Sequence, residues 1–158
     1  MAMHANENLI HSFYTCFQQL DANGMIACYA PDIVFSDPVF PRLEGSDAGS
    51  MWQMLSSRAR EFRLTFRDME AEEARGSAHW EATYLFSKTG RRVTNIIDAE
   101  FEFRDGLIVR HTDRFDFWRW SRQALGLSGV LLGWTPLVRN AVRGEARKGL
   151  KQFIASRK

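Results

Sequence analysis

With 158 residues, 45% of them apolar and 25% charged, the chain has the size and composition of one globular domain around a single core, which excludes disordered and fibrous classes. No stretch reaches the roughly 20 apolar residues that a membrane-spanning helix needs, and the first ten residues lack the basic and apolar regions of a signal peptide. We therefore expect a cytoplasmic protein.

Charge is distributed unevenly along the chain. The net charge is only +2, yet residues 118–158 hold nine Lys and Arg against the single acid Glu145, a net charge of +8 that leaves −6 for the rest. A basic helical segment is most often a solvated surface, although it also suits an anionic partner. We expect no nucleic-acid binding, because no surface that combines aromatic and basic residues accompanies the segment.

The N-terminal part of the chain alternates between helical patterns and loops. Apolar residues recur at helical spacing over 6–20, and a short second helix over 25–29 ends before Pro31, because a residue that precedes proline avoids the helical region. A short strand over 33–35 then leads through a proline-framed loop to a third helix over 46–60.

The period of the apolar residues changes to two after residue 61. Four such runs, separated by turns that contain glycine, predict a meander of long strands over 62–74, 77–88, 92–104 and 107–117. Together these elements predict an α+β fold in which three N-terminal helices pack on one face of a curved antiparallel sheet. Curvature of that face would leave a cavity.

The C-terminal segment predicts further helices, the longest an amphipathic helix over 137–158. We therefore divide the chain into residues 1–117 and a helical extension over 118–158. The tryptophans and the apolar stripe of the extension are too hydrophobic to leave in water, so we expect it to pack on the same domain or on a dimer partner. Membrane association is disfavoured, because a second anchor is missing.

The order of elements over residues 6–117 resembles the nuclear transport factor 2-like superfamily, which includes SnoaL-like and ketosteroid-isomerase-like proteins. Residues 29–39, YAPDIVFSDPV, followed by Arg42 and Gly45, are similar to the segment of steroid Δ-isomerases whose Asp-Pro-Val carries the catalytic base. The resemblance implies a cone-shaped α+β barrel around one small-molecule pocket. It also implies that Asp37 takes a proton from a carbon next to a carbonyl and returns it elsewhere.

The same isomerases hold the enolate oxygen with a Tyr in the first helix and a protonated Asp in the third meander strand. Alignment with this family places Cys16 and Ala99 at these two positions, so both donors are missing. Tyr14 lies close to the first position, whereas strand alternation sends Asp98 to the opposite face. Steroid-type isomerisation is therefore the less favoured chemistry.

His111 and Asp113 are two residues apart in the last predicted strand, so both point to one face. The resemblance identifies this face as the one that lines the isomerase pocket. A His beside a carboxylate can form a proton-transferring pair near neutral pH. The alternative is a buried polar pair that holds the strand to a helix or to a dimer partner.

Asp116 is a further candidate. Residues 114–126 resemble the end of SnoaL-like cyclases, an Asp followed by an apolar turn and Gln-x-Leu-Gly, which implies an acid or base at Asp116. Strand alternation sends Asp116 and Asp113 to opposite faces of the sheet. Asp116 could instead cap the following helix.

The other candidates describe an apolar pocket with a few polar groups, which suits a flat hydrophobic ligand. Each of these rings could also be ordinary core. The predicted ligand-binding residues are Tyr14, Phe40, Trp52, Trp80, Tyr84, Asn95, Phe101, Phe115 and Asp116.

Two functions follow from these residues. The first is a cofactor-free isomerase, cyclase or hydrolase that acts on a hydrophobic carbonyl compound, with Asp37, His111 and Asp113 moving protons. The second is a ligand-binding or protein-interaction module without catalysis. Epoxide hydrolysis ranks third. Limonene-epoxide hydrolases use an Asp-Arg-Asp relay, but strand alternation places Arg110 and Arg114 on the face opposite to His111 and Asp113.

We expect neither a metal nor another cofactor, since the sequence has no Gly-rich phosphate loop and no metal-ligand cluster. The expected partners are a small hydrophobic ligand and a second copy of the chain, in a homodimer formed through the sheet or the C-terminal extension.

Overall fold

The computed structural model describes residues 3–157, so Lys158 of the basic segment lies outside it. The described residues form, in chain order, α1 (Ala5–Gln18), α2 (Ala22–Ala27), β1 (Tyr29–Ser36), β2 (Leu43–Glu44), α3 (Ser46–Arg58), β3 (Arg63–Ala71), β4 (Arg75–Leu85), β5 (Arg92–Arg104), β6 (Leu107–Arg114), α4 (Phe117–Leu125), α5 (Leu127–Leu132) and α6 (Pro136–Ser156).

One curved sheet contains the six strands of residues 3–157, in the order β2-β1-β6-β5-β4-β3. Strands β3 to β6 are the predicted antiparallel meander. Strand β1 runs parallel to β6, so the sheet is mixed rather than wholly antiparallel. The register shifts at Arg67–Glu70 and at Glu102–Phe103, and such irregularities bend a sheet.

The α+β architecture predicted from the periodicities is confirmed. Helix α1 buries the predicted residues Ile10, Phe13 and Phe17 against the sheet, together with Tyr14. Along β5 every second side chain from Val93 to Phe103 is buried, and those between are exposed or half-buried, as the period of two predicts. No helix within residues 3–157 is both long enough and apolar enough to cross a bilayer.

The structure corrects several of the predicted element boundaries. Helix α2 ends before residue 28, and β1 begins at Tyr29, so Pro31 lies inside a strand at an irregular register with β6. Strand β6 ends at Arg114 rather than at residue 117. It stops there because the Asp116 carboxylate accepts the Arg119 backbone N–H at 3.1 Å and thereby starts α4.

The long C-terminal helix predicted over 137–158 is α6, which Thr135 caps and Pro136 opens. Helix α6 packs against α3, and α5 packs against both α4 and α6. The C-terminal extension therefore covers part of the domain formed by the earlier residues.

Gly129 allows α5 to lie directly against α4. A Cβ at this position would overlap the backbone carbonyl of Ser121. We expect Gly129→Ala to lower the free energy of unfolding by roughly 1–3 kcal/mol, because α4 would have to shift. In the control Gly144→Ala, on α6, an added Cβ meets none of the described atoms within 4 Å and should stabilise the helix by up to about 1 kcal/mol. Urea unfolding compares the two, and equal stabilities would contradict this packing.

Candidate functional site

A cavity of about 860 Å³ opens between the inner face of the sheet and the helices α3, α4, α5 and α6. This volume lies within the roughly 300–1,000 Å³ of ordinary small-molecule sites. Val138, Val142 and Ala146 of α6 form part of its wall, so the C-terminal extension helps to enclose it. The predicted residues that line it are Asp37, Phe40, Trp52, Trp80, Tyr84, Asn95, Asp113 and Phe115.

Four predicted site residues do not line the cavity. Tyr14, Phe101 and His111 are buried behind its wall, in the core between α1 and the sheet. Asp116 is exposed, because its carboxylate is turned to the N-terminus of α4. The sequence offers two candidate carboxylates near the end of β6, Asp113 and Asp116. The structure places only Asp113 in the cavity.

Asp37 sits in a tight turn that fixes its carboxylate. Its Oδ1 accepts the backbone N–H groups of Val39 and Phe40 at 2.7 and 2.6 Å, and its own N–H donates to the Phe40 carbonyl at 2.9 Å. Arg143 of α6 donates its Nε–H to the Pro38 carbonyl at 2.8 Å, which ties the turn to the extension. Oδ2 has no hydrogen-bond partner among the described residues, so it remains available to a ligand.

The surroundings of Asp37 favour its protonated form. Burial raises its pKa from 3.8 to about 7, and the negative charge of Asp113 adds to the rise. The backbone donors of Phe40 and Val39 and the charge of Arg143 act in the opposite direction. Both protonation states are therefore populated near neutral pH, which suits a group that takes up a proton and returns it.

Tyr84 offers a hydrogen-bond donor to the same cavity. Its phenol oxygen accepts the indole N–H of Trp120 at 2.9 Å, which leaves the O–H free to donate to a ligand. Burial raises the pKa of Tyr84 to about 12. The hydrogen bond from Trp120 acts to lower this pKa, whereas the negative charge of Asp37 acts to raise it. The phenol is therefore neutral at pH 7.

Asn95 adds a second donor. It lines the cavity from β5, and its side-chain amide makes no hydrogen bond within residues 3–157. The amide N–H is therefore available to a ligand oxygen. Sequence reasoning placed Tyr84 and Asn95 in the lining but gave neither a role as a donor, because the contact between Trp120 and Tyr84 joins segments 36 residues apart.

A chain of buried hydrogen bonds ends on Asp113. Trp52 Nε1 donates to the Tyr29 hydroxyl at 2.9 Å, and this hydroxyl lies 2.8 Å from His111 Nδ1. His111 Nε2 lies 2.9 Å from Asp113 Oδ1, which also accepts the Trp80 indole N–H at 3.3 Å. Because the Tyr29 oxygen already accepts from Trp52, its hydrogen is directed to Nδ1, and we assign the neutral His111 tautomer with hydrogen on Nε2.

The pair of His111 and Asp113 is therefore assembled as predicted, but with unequal roles. Asp113 lines the cavity, whereas His111 is fully buried behind it, where its ring also stacks on Trp52. The hydrogen bond from His111 holds the orientation of the Asp113 carboxylate. Sequence reasoning missed Tyr29, which completes the chain, because its phenol meets Trp52 and His111 only in the folded protein.

Asp113 also lies next to the position of one of the two donors that the alignment shows to be missing. Ala99 stands where the resemblance implies an Asp, and Ala99 is the direct cross-strand partner of Asp113 between β5 and β6. Directly opposed side chains lie roughly 4.5–5.5 Å apart at Cβ, on the same face of the sheet. A carboxyl group therefore lies next to the position of Ala99, and the adjacent strand β6 supplies it.

The groups proposed for an epoxide-hydrolase relay face away from the cavity. Arg110 pairs with Glu102 at 2.7 Å, and Arg114 pairs with Glu100 at 2.8 Å, both on the outer face of the sheet. The prediction that these arginines lie on the face opposite to His111 and Asp113 is confirmed. Asp98, also on the outer face, is bonded to His79 at 3.0 Å.

Comparisons with known proteins agree with this architecture. Residues 10–111 match the family model of the SnoaL-like domain. An LEH-like epoxide hydrolase from M. tuberculosis superposes with a TM-score of 0.66 and 20% identity over 82% of this chain and 96% of that one. A putative polyketide cyclase from Xanthomonas campestris gives 0.63 and 23% identity, over 75% and 96%.

A protein of ketosteroid isomerase-like fold from Catenulispora acidiphila, in complex with trimethylamine, gives a TM-score of 0.66 and 12% identity over 81% of this chain and 97% of that one. At these identities the structures share the fold. A search of curated proteins finds no significant match to the sequence.

Proposed function

This chain belongs to the SnoaL-like family, and on that premise we propose that it is an enzyme that moves a proton on a hydrophobic carbonyl compound, with carboxylates as acid and base. The observation that carries the proposal is Asp37, a fixed carboxylate in the cavity with a free Oδ2 and a pKa raised to about 7. A general base is most effective when its pKa lies near the working pH.

The cavity lining supports a flat, apolar substrate. Trp52, Trp80 and Phe115 provide aromatic surface against which such a molecule packs. Neighbouring structures are named as putative polyketide cyclases and as an epoxide hydrolase. The cyclase names favour a polyketide-like compound with several carbonyl groups, whereas the outward position of Arg110 and Arg114 gives no support to epoxide hydrolysis.

The proposed reaction begins when Asp37 Oδ2 takes a proton from a carbon next to a carbonyl. The electrons of the broken C–H bond move to the carbonyl oxygen and form an enolate. The Tyr84 O–H and the Asn95 N–H donate to this oxygen and stabilise the charge as it develops. Protonated Asp37 then returns the proton to another carbon, which gives an isomerase, or to the oxygen formed when the enolate carbon attacks a second carbonyl, which gives a cyclase.

Asp113 tunes this base. Its Oδ1 is held by His111 and Trp80, and its charge contributes to the raised pKa of Asp37. The buried chain from Trp52 to Asp113 therefore acts on the reaction through electrostatics and position.

Hydrogen–deuterium exchange tests the proposal with Tyr84→Phe. Hydrophobic aryl ketones and 1,3-diketones are incubated with the protein in D2O, and loss of the α-proton signal is followed by NMR. We expect Tyr84→Phe to lower kcat by roughly 10- to 1,000-fold, because one enolate donor is lost. Tyr14→Phe is the matched control, since Tyr14 lies behind the cavity wall, and it should retain wild-type exchange.

Two results would contradict parts of this proposal. If the Tyr84→Phe variant exchanged the α-proton at the wild-type rate, Tyr84 would be excluded as a donor to the enolate. Tight binding of the same ketones without any exchange would instead support the second function, a ligand-binding module.

A further inference from the structure

The surface around α5 is apolar and uncovered. Six large apolar side chains here are between 46 and 73% exposed, although the sequence predicts that this segment is packed away from water. Contiguous apolar surface of this kind usually marks an interaction site. We call these residues the α5 face: Leu127, Val130, Leu131, Leu132, Trp134 and Leu137.

A groove lined by arginines adjoins the α5 face. Its residues are Arg91 and Arg92 from the start of β5, together with Arg119, Arg122 and Gln123 from α4. Of these, Arg92 is bonded to Glu61 at 2.8 Å. Residues 117–144, which carry α4, α5 and the start of α6 up to the residue before Glu145, contain four arginines and no Asp or Glu.

Direct side-chain contacts join the groove to the face. The Arg122 guanidinium lies 4.3 Å from the centre of the Trp118 ring, and the Trp118 indole N–H reaches the Val130 carbonyl at 3.4 Å. Arg91 donates to the Gln123 carbonyl at 2.7 Å and lies beside Gly126, the residue that precedes α5. Basic and apolar groups thus form one continuous surface.

We propose that the α5 face docks on the surface of an anionic lipid bilayer, with the arginine groove against the lipid phosphates. An interfacial helix combines exposed Leu and Trp with flanking basic residues, as this surface does. Helix α5 is six residues and therefore about 9 Å long, which suits a segment that lies flat at the boundary of the acyl chains. The long arginine side chains can reach the phosphate level beside it.

Two features favour a bilayer over a second copy of the chain. A symmetric dimer through this face would bring two copies of the same basic surface into one interface, and like charges oppose association. The groove also supplies the second anchor that sequence analysis did not find, because folding brings the β4–β5 connection next to α4.

The cavity shares the same helices. Leu125, Ser128 and Val138 line it, at the ends of α4 and α6 and within α5. Docking would therefore bring the cavity close to the lipid, from which a hydrophobic compound could enter. This consequence rests on the proposed function, whereas the docking itself does not.

Vesicle co-sedimentation of the full chain tests the docking. We compare vesicles of phosphatidylcholine with vesicles in which one third is phosphatidylserine. We expect at least tenfold stronger partitioning to the anionic vesicles, with a decrease as salt is added. Arg119→Gln with Arg122→Gln should weaken it by roughly 25-fold, at about fivefold per basic residue. Leu131→Gln with Leu137→Gln should weaken it at least as much.

Two controls match these variants. Arg63→Gln on β3 and Ile96→Gln on the outer face of β5 change exposed residues outside this surface, and both should bind vesicles like the wild type. Thermal melting of each variant verifies that it is folded. Asp37→Asn should also bind normally, so that a failure of the docking and a failure of the proposed chemistry can be told apart.

Three results would overturn the docking: no binding to anionic vesicles, equal binding to both vesicle types, or wild-type binding by the two double variants. Sedimentation velocity adds a fourth. A wild-type dimer that Leu131→Gln with Leu137→Gln converts to a monomer would show that a second copy covers this face.

Discussion

Asp37→Asn is expected to slow α-proton exchange by roughly 100- to 10,000-fold, the usual contribution of a positioned general base. An amide cannot take up the proton, yet its oxygen can still accept the Val39 and Phe40 N–H groups that hold the turn. The substitution therefore removes the base and keeps the loop. The measurement is the initial rate of exchange in D2O at pH 8, where Asp37 is mostly ionised.

Stability separates this loss from unfolding. Because the pKa of Asp37 is raised from 3.8 to about 7 in the folded protein, the native state binds its proton more tightly than the unfolded state does. The stability that this provides at low pH is lost as the pH rises between these two values. Asparagine removes the buried charge, so the variant should be at least as stable as the wild type at pH 8.

Asp32→Asn is the matched control. Asp32 lies on β1, the strand that leads into the Asp37 turn, but it is exposed, and it pairs with Arg104 at 2.6 Å. Its replacement should leave exchange near the wild-type rate, because an exposed ion pair contributes little to stability. An Asp37→Asn enzyme that retained more than a tenth of wild-type activity would show that another group is the base.

Tyr29→Phe is expected to lower the free energy of unfolding by about 2–6 kcal/mol. The Tyr29 hydroxyl accepts from Trp52 and donates to His111, so its removal leaves two buried polar groups without a partner. Each buried group that loses its hydrogen bond costs roughly 1–3 kcal/mol. Guanidinium unfolding, followed by tryptophan fluorescence and by far-UV circular dichroism, measures the change.

Tyr14→Phe provides the comparison for this variant. Tyr14 is also fully buried, but its hydroxyl has no hydrogen-bond partner in the part of the chain that the structure describes. Burial, together with the nearby charge of Asp113, raises the pKa of Tyr14, so the phenol stays neutral. Its removal should be neutral or stabilising. Similar costs for the two substitutions would mean that the Tyr29 hydrogen bonds are worth little.

The sequence predicts much of this fold, because local periodicity decides which residues share a face. The alternation that separates Asp98 from Ala99 and unites His111 with Asp113 is seen in the structure. Register is a different matter. That Ala99 faces Asp113, and that Tyr29 reaches His111, depends on the pairing of strands distant in sequence. Periodicity carries no information about such pairing.

The C-terminal extension shows a second limit of the same kind. Its apolar pattern predicts buried helices, and α6 does cover the cavity through Val138 and Val142. Helix α5 has an equally apolar pattern, yet Leu127 and Leu131 remain exposed. A pattern shows that a face needs a partner, whereas only the structure shows whether the chain itself provides one.

The central claim is that Asp37 is a cavity carboxylate that exchanges its proton near neutral pH. NMR titration of the 13Cγ resonance of Asp37, assigned by its loss in Asp37→Asn, measures this directly. We expect an inflection at about pH 7, well above the ordinary value of 3.8. An inflection close to 3.8 would contradict the claim, because Asp37 would then be a solvated carboxylate and a weak base.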